Sequence, residues 1–263
     1  MRYGFMQRAV IAGIFIAVAC AVLGVFLILR RESMIGHGLA HAAFAGVAIG
    51  LLLDIMPLGA ALILAVIISI LILKLRDRAG LYGDTGIAIF SSAGFALGII
   101  IVSMAQGFNV DLFSYLFGEI LAIDTPEVWL SIILAAAVVS MVYFNYNRLL
   151  YITFDWESAK ASGIKVKRLD MMIAVLTAVT VVMGMKVVGI ILVSALLVIP
   201  AASGLLVAKN FKRAIMIAVI NALISVVIGL TLSFHLNIPA SGALVLMSFL
   251  IFGIMMIFKK YRN

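Results

Sequence analysis

Charge is scarce in this chain. Of its 263 residues only 11% are Asp, Glu, Lys or Arg, against 66% hydrophobic, and the mean hydropathy is +1.30. A water-soluble domain of this size needs far more polar surface to cover itself, so the composition marks an integral membrane protein with little or no soluble part. Cysteine is scarcer still. Cys20 stands alone, which rules out an internal disulfide and any cysteine-cluster metal site. No phosphate-binding loop, nucleophile elbow, HExxH motif or dinucleotide fingerprint occurs, so the chain carries no recognised machinery for hydrolysing ATP. The N-terminal MRYGFMQRAV leads into an apolar run without a small-residue cleavage site, and reads as a retained span instead of a signal peptide.

Apolar runs are what the chain has in plenty. A helix crosses the hydrocarbon with roughly 20 apolar residues. Runs of that kind lie at 9–29, 38–54, 57–74, 86–106, 127–146, 170–185, 187–208, 214–234 and 239–258. The expected fold is therefore all-α and polytopic, one membrane domain over 1–263 with about eight to nine transmembrane helices. The pair 170–185 and 187–208 is separated least clearly, by KVVG alone. A further piece, VDLFSYLFGEILAI at 110–123, is too short and too polar to cross, and fits a re-entrant helix packed on protein.

The net charge of +8 is not a nucleic-acid signature here. If the C-terminal KKYRN is cytoplasmic and nine spans alternate back from it, sixteen of the nineteen basic residues fall on the cytoplasmic face, leaving Arg2, Arg8 and Lys186 outside. That asymmetry predicts an N-terminus outside and a C-terminus inside. The longest polar stretch, NRLLYITFDWESAKASGIKVKRLD at 147–170, is then cytoplasmic. Asp155 suits an N-cap, Trp156 to Ser162 a short helix and Gly163 its stop. Such a surface helix is either a docking element for a cytoplasmic partner or a solvated basic loop.

The residues able to do chemistry are few. In GHGLAHAAFAG, His37 and His41 stand four positions apart and so share one helix face. Two imidazoles at that spacing can reach one divalent cation, and imidazole suits zinc, copper, iron and nickel. Gly36, Gly38, Ala40, Ala42, Ala43, Ala45 and Gly46 around them permit close packing or leave room for an ion. Polar groups in a span are costly and usually line a pathway, although each ring can instead hydrogen-bond a neighbouring helix. Asp111 and Glu119, about two turns apart, are the next acids to consider, facing either the interior or the interface. His235 reads as interfacial, and Lys186 as a partner for an outer carboxylate. Pro200 in LLVIPAASGLLVAK breaks the hydrogen-bond ladder mid-span, as a hinge or as a fixed bend.

Five blocks together carry a resemblance: RRESMIGHGLAHAAFAGVAIGLLLD (30–54), VDLFSYLFGEILAI (110–123), FDWESAKASGIKVKRL (154–169), MKVVGIILVSALLVIPAAS (185–203) and IPASGALVLMSFLIF (238–252). In this order and spacing the chain resembles the permease subunits of bacterial ABC importers for zinc, manganese and iron, the zinc-uptake permeases most of all. The resemblance implies a homodimeric permease with the helix-rich fold of type II importers, similar to the vitamin B12 permease. It also implies two cytoplasmic ATP-binding subunits, an extracytoplasmic metal-binding protein and a transported metal with no permanently bound cofactor, the chain itself being no enzyme. The loop at 155–166, with Asp155, Trp156, Glu157, Ala159, Ser162 and Gly163, matches the family's coupling helices. One residue departs from the pattern. The family usually has Gly-Asp-x-x-x-His after the paired basic residues. His41 falls on that histidine, while His37 stands where aspartate is expected. Two imidazoles shift the preference toward zinc or another metal that favours imidazole, and their protonation below about pH 6 would release the metal. A secondary transporter would show internal repeats and buried carboxylates, and a structural subunit would need neither the histidine pair nor the coupling loop.

Overall fold

The computed structural model describes residues 4–79, 83–104, 115–116, 118 and 123–262. Those residues build eleven helices and no strand: α1 (Gly4–Leu29), α2 (Ile35–Leu52), α3 (Pro57–Ala79), α4 (Gly83–Met104), α5 (Thr125–Phe144), α6 (Tyr146–Phe154), α7 (Trp156–Ala161), α8 (Val166–Val188), α9 (Ile190–Val207), α10 (Phe211–Leu236) and α11 (Ala240–Arg262). Eight of them are long and apolar enough to cross a membrane, and α9 adds a shorter apolar stretch, Val193–Val207. Every span expected from the sequence has its helix.

The arrangement follows from which helices are apolar on all sides. In α1 every residue from Ala19 to Leu27 is buried, because a helix without a polar face belongs in the middle of a bundle. It packs against α5, α8, α9 and α10. Its Gly24 is needed for that: a Cβ there would fall 1.9 Å from the Leu197 carbonyl oxygen of α9. By contrast α4 and α11 expose many large apolar side chains, among them Ile89, Leu97, Ile100, Leu246, Phe249 and Phe258.

Helix directions can be read from close approaches. Gly46 meets Ala61 and Gly50 meets Pro57, so α2 and α3 form an antiparallel hairpin. Gly38 meets Ile87, Gly94 meets Ala42 and Gly98 meets Phe44, so α4 runs parallel to α2. The helices alternate between a basic end, holding residues 30–34, 145–166 and 207–213, and an opposite end, holding 53–56, 124 and 189. Between α8 and α9 a single residue turns the chain: Gly189 adopts φ +85°, a region open to glycine. At that end Lys186 pairs with Glu127 of α5 at 2.5 Å, a carboxylate partner of the kind anticipated for it. Glu127 also completes a capping box with Asp124.

A histidine pair on an otherwise buried helix

Along α2, every residue from Ile35 to Ala48 is buried except His37, which is exposed, and His41, which is half-buried. The small residues around them are used for packing. A Cβ on Gly46 would lie 2.4 Å from Ala61 Cα, and one on Gly38 would lie 2.7 Å from Ile87 Cγ2. Glycine and alanine therefore wedge α2 between α3 and α4 among the described residues. Between Ile35 and Ala48, the histidine face is where α2 is left uncovered by those residues.

There the two imidazole rings stand 4.4 Å apart, centroid to centroid, at 60°. Phe95 of α4 sets its ring 4.8 Å from His41, edge to face, and itself leans on Phe44. The His41 Nδ1 is buried and has no hydrogen-bond partner among the described residues. A buried polar atom without a partner is costly, so His41 is not held in place by a neighbouring helix through that nitrogen. Nitrogen ligands at about 2.0–2.1 Å are what zinc takes, and the two rings are close enough to share one ion. Among the described residues no group of three or more His, Cys, Asp or Glu assembles. Asp111 and Glu119, the acids expected to join the pair, lie outside the described residues, as does most of 110–123.

The basic end carries the other expected element. Asp155 caps α7 by accepting a 3.0 Å bond from the Ser158 N–H, and hydrogen bonding to Ser158 holds its carboxyl below the ordinary value. Ala159 is fully buried, while Glu157 and Lys160 face out. Ser162 takes the C-cap position and Gly163, at φ +79°, ends the helix. The short helix is thus one residue shorter than expected. The stretch before it is not a loop: Tyr146–Phe154 forms α6, burying Leu149 and Ile152, an i, i+3 pair.

Sequence reasoning missed what lies beneath α7. Asp170, read as the end of a polar loop, is 5% exposed on the first turns of α8. It accepts Arg30 Nη1 at 2.6 Å and Arg76 Nη2 at 3.0 Å, and the Trp156 indole N–H at 3.3 Å. Arg76 also pairs with Glu32. Burial pushes the Glu32 carboxyl up, opposed by Arg76 and Arg30. The one signal in the sequence is a lone acid, KRLD, at the edge of an apolar run.

Pro200 lies inside α9, which continues through it to Val207. Its surroundings are dense: Ala201 is fully buried, Gly204 abuts the Ala214 carbonyl, and Ser203 accepts a 2.7 Å bond from Asn221 Nδ2. His235 sits exposed in the last turn of α10, at the helix end where an interfacial residue belongs.

Residues 2–259 match the ABC 3 transport family. The chain is 35% identical to the manganese transport system membrane protein MntC of Listeria innocua, over 98% of this chain and 92% of that protein. It is 32% identical to the high-affinity zinc uptake system membrane protein ZnuB of Haemophilus influenzae, over 97% of each. Relatives named for both metals align along nearly the whole chain, so likeness alone does not choose between zinc and manganese. The fold superposes on the PsaBC structure from Streptococcus pneumoniae, solved in complex with Fab, with a TM-score of 0.86 and 30% identity, covering 100% of this chain and 96% of that one. With a match of this extent and the same helical framework, the chain belongs to the ABC 3 transport family.

Proposed function

We propose that this chain is the membrane permease of an ATP-driven importer that moves a divalent transition metal, zinc by preference, into the cytoplasm. The observation that carries the reading is the His37–His41 pair, the sole break in the buried surface of α2 before Ile49, with the orphaned His41 Nδ1 beside it. Two imidazoles leave a tetrahedral cation two ligands short. A second copy presenting the same face would complete it, so the ion passes between two permeases, and Asp111 or Glu119 would bind it before or after. Ligation of this kind admits an ion and still lets it go. The basic end is cytoplasmic by its lysine and arginine content, placing the N-terminus outside. Two ATP-binding subunits dock there on α7, and a metal-binding protein delivers the ion at the opposite face. Hydrolysis belongs to those partners, and the chain keeps no cofactor of its own. Pro200 gives α9 the bend about which the spans move.

The test is metal uptake by cells or proteoliposomes carrying H37A/H41A, with recovery of the ATP-binding subunit as control. Uptake should fall to background while the subunit still co-purifies. Undiminished uptake would sink the site, and failure of the wild-type chain to retain an ATPase would sink the transporter reading. Manganese is the second reading, because the manganese-system protein aligns along as much of this chain as the zinc-system protein does. Competition between the two metals in the same assay separates them.

A further inference from the structure

Four elements meet at one buried carboxylate, and a fifth reaches it through an arginine. Asp170 of α8 takes Arg30, just past α1, at Oδ1, and both Arg76 of α3 and Trp156 of α7 at Oδ2. Arg30 also donates its Nε–H to Thr153 Oγ1 of α6 at 3.3 Å. From Arg76 the network passes to Glu32, whose backbone carbonyl accepts the Ile35 N–H at 3.0 Å and so holds the first turn of α2. His37 follows two residues later. Every link from the surface helix α7 to the histidine helix is a direct hydrogen bond or a few bonds of backbone.

Stability alone does not account for such a cluster. Asp170 and Arg30 are 5% and 8% exposed, and burying charges costs about as much as their pairing returns. Apolar residues would hold these helix ends at least as well. A buried ionic cluster is better suited to specifying an arrangement, or to switching between two. The cluster also has an unused donor, because Arg30 Nη2 is buried without an acceptor among the described residues. We infer that Asp170 and Trp156 are positioning residues for transport, a hub that passes movement of α7 to the N-terminus of α2 and hence to the histidine pair. When α7 shifts, the Trp156 N–H leaves Asp170 Oδ2. Arg30 then engages the carboxylate with both terminal nitrogens, the fork geometry that arginine favours, and Arg76 is left to Glu32. The first turn of α2 moves with it.

This rests on the proposed role as a permease driven by ATP-binding subunits, and the test separates the two. The reconstituted complex, with its ATPase and metal-binding protein, is assayed for zinc(II) and manganese(II) uptake and for phosphate release, and metal moved per ATP is the readout. W156F keeps the ring and loses the N–H. D170N keeps the shape and loses the charge. Metal per ATP should fall about fivefold in W156F and further in D170N, with the thermal midpoint of W156F unchanged. The double variant should be no worse than D170N alone, because the tryptophan acts through the aspartate. A merely structural role would lower uptake, hydrolysis and complex recovery together and leave metal per ATP untouched, which overturns the inference. If D170N fails to assemble, an unchanged ratio in W156F overturns it just as well. A wild-type complex without metal-dependent hydrolysis overturns the transporter reading and this inference with it. Normal wild-type coupling with unaltered variants overturns the inference alone.

Discussion

Two polar clusters among the spans, one around Asn221 and one at the histidine pair, differ in one respect. On α10, Asn221 is fully buried and closed: its Nδ2 donates to Ser203, and its Oδ1 accepts Ser225 at 3.0 Å and Ser248 at 3.3 Å. That knot joins α9, α10 and α11 and fills both acceptor positions of the Asn221 oxygen. On α2, the histidines are open. One ring is exposed, and the other keeps a buried nitrogen that no described residue engages. In hydrocarbon, polar side chains either hold helices together or serve what passes by. The count of satisfied valences tells the two apart.

Breaking the open cluster should have the largest effect on transport and the least on stability. H37A/H41A is expected to take uptake to background with the thermal midpoint in detergent unmoved, since no protein partner of the His41 Nδ1 is lost. Breaking the closed cluster should do the reverse. N221A removes the three side-chain bonds of the knot, although Ser203 and Ser225 keep their backbone acceptors, and is expected to cost about 1–2 kcal/mol, the upper range for interhelical hydrogen bonds in membranes, seen as a lower midpoint with uptake per assembled complex intact. If N221A changes metal preference, the division between glue and site fails. A finer probe is H37D, which restores the carboxylate of the family pattern. It should move preference several-fold from zinc toward manganese in a competition assay, because oxygen ligands suit manganese better than imidazole does.

The smallest expected effect lies at α7. The lowered pKa of Asp155 means that its cap strengthens the helix at any pH above the ordinary carboxylate range, and is lost only as pH falls through the lowered value. At neutral pH, D155A should therefore speed amide exchange at Ser158 while D155S, which can still cap, should not. Acidification should erase the difference between wild type and D155A.

The spans, the α7 cap and stop, and the histidine pair were legible in the sequence because each rests on local spacing: long apolar runs, Asp155 before Trp156 with Gly163 after, and an i, i+4 pair. The features that escaped depend on distant partners. Asp170 lies 140 positions from Arg30 and 94 from Arg76, so no periodicity announces that it is buried. The His41 Nδ1, without a partner among the described residues, is buried in an environment that includes Phe95 from another helix. Helix α6 was hidden for a simpler reason. Asn147 and Arg148 give 147–155 a polar look, and two buried residues, Leu149 and Ile152, are too few to register as a run.

One earlier detail bears on how the molecule can move. Helix α8 is fastened at both ends, by Asp170 to the arginines below and by Lys186 to Glu127 above. At 1.5 Å per residue these anchors stand about 24 Å apart along the axis. Gly189 then turns directly into α9 with no slack between the two helices. A beam pinned at two points cannot tilt unless one pin lets go, but it can still turn about its long axis. Tilting of α8 away from α3 or α5 would therefore stretch an ion pair at one end of the helix, whereas motion together with those helices would not.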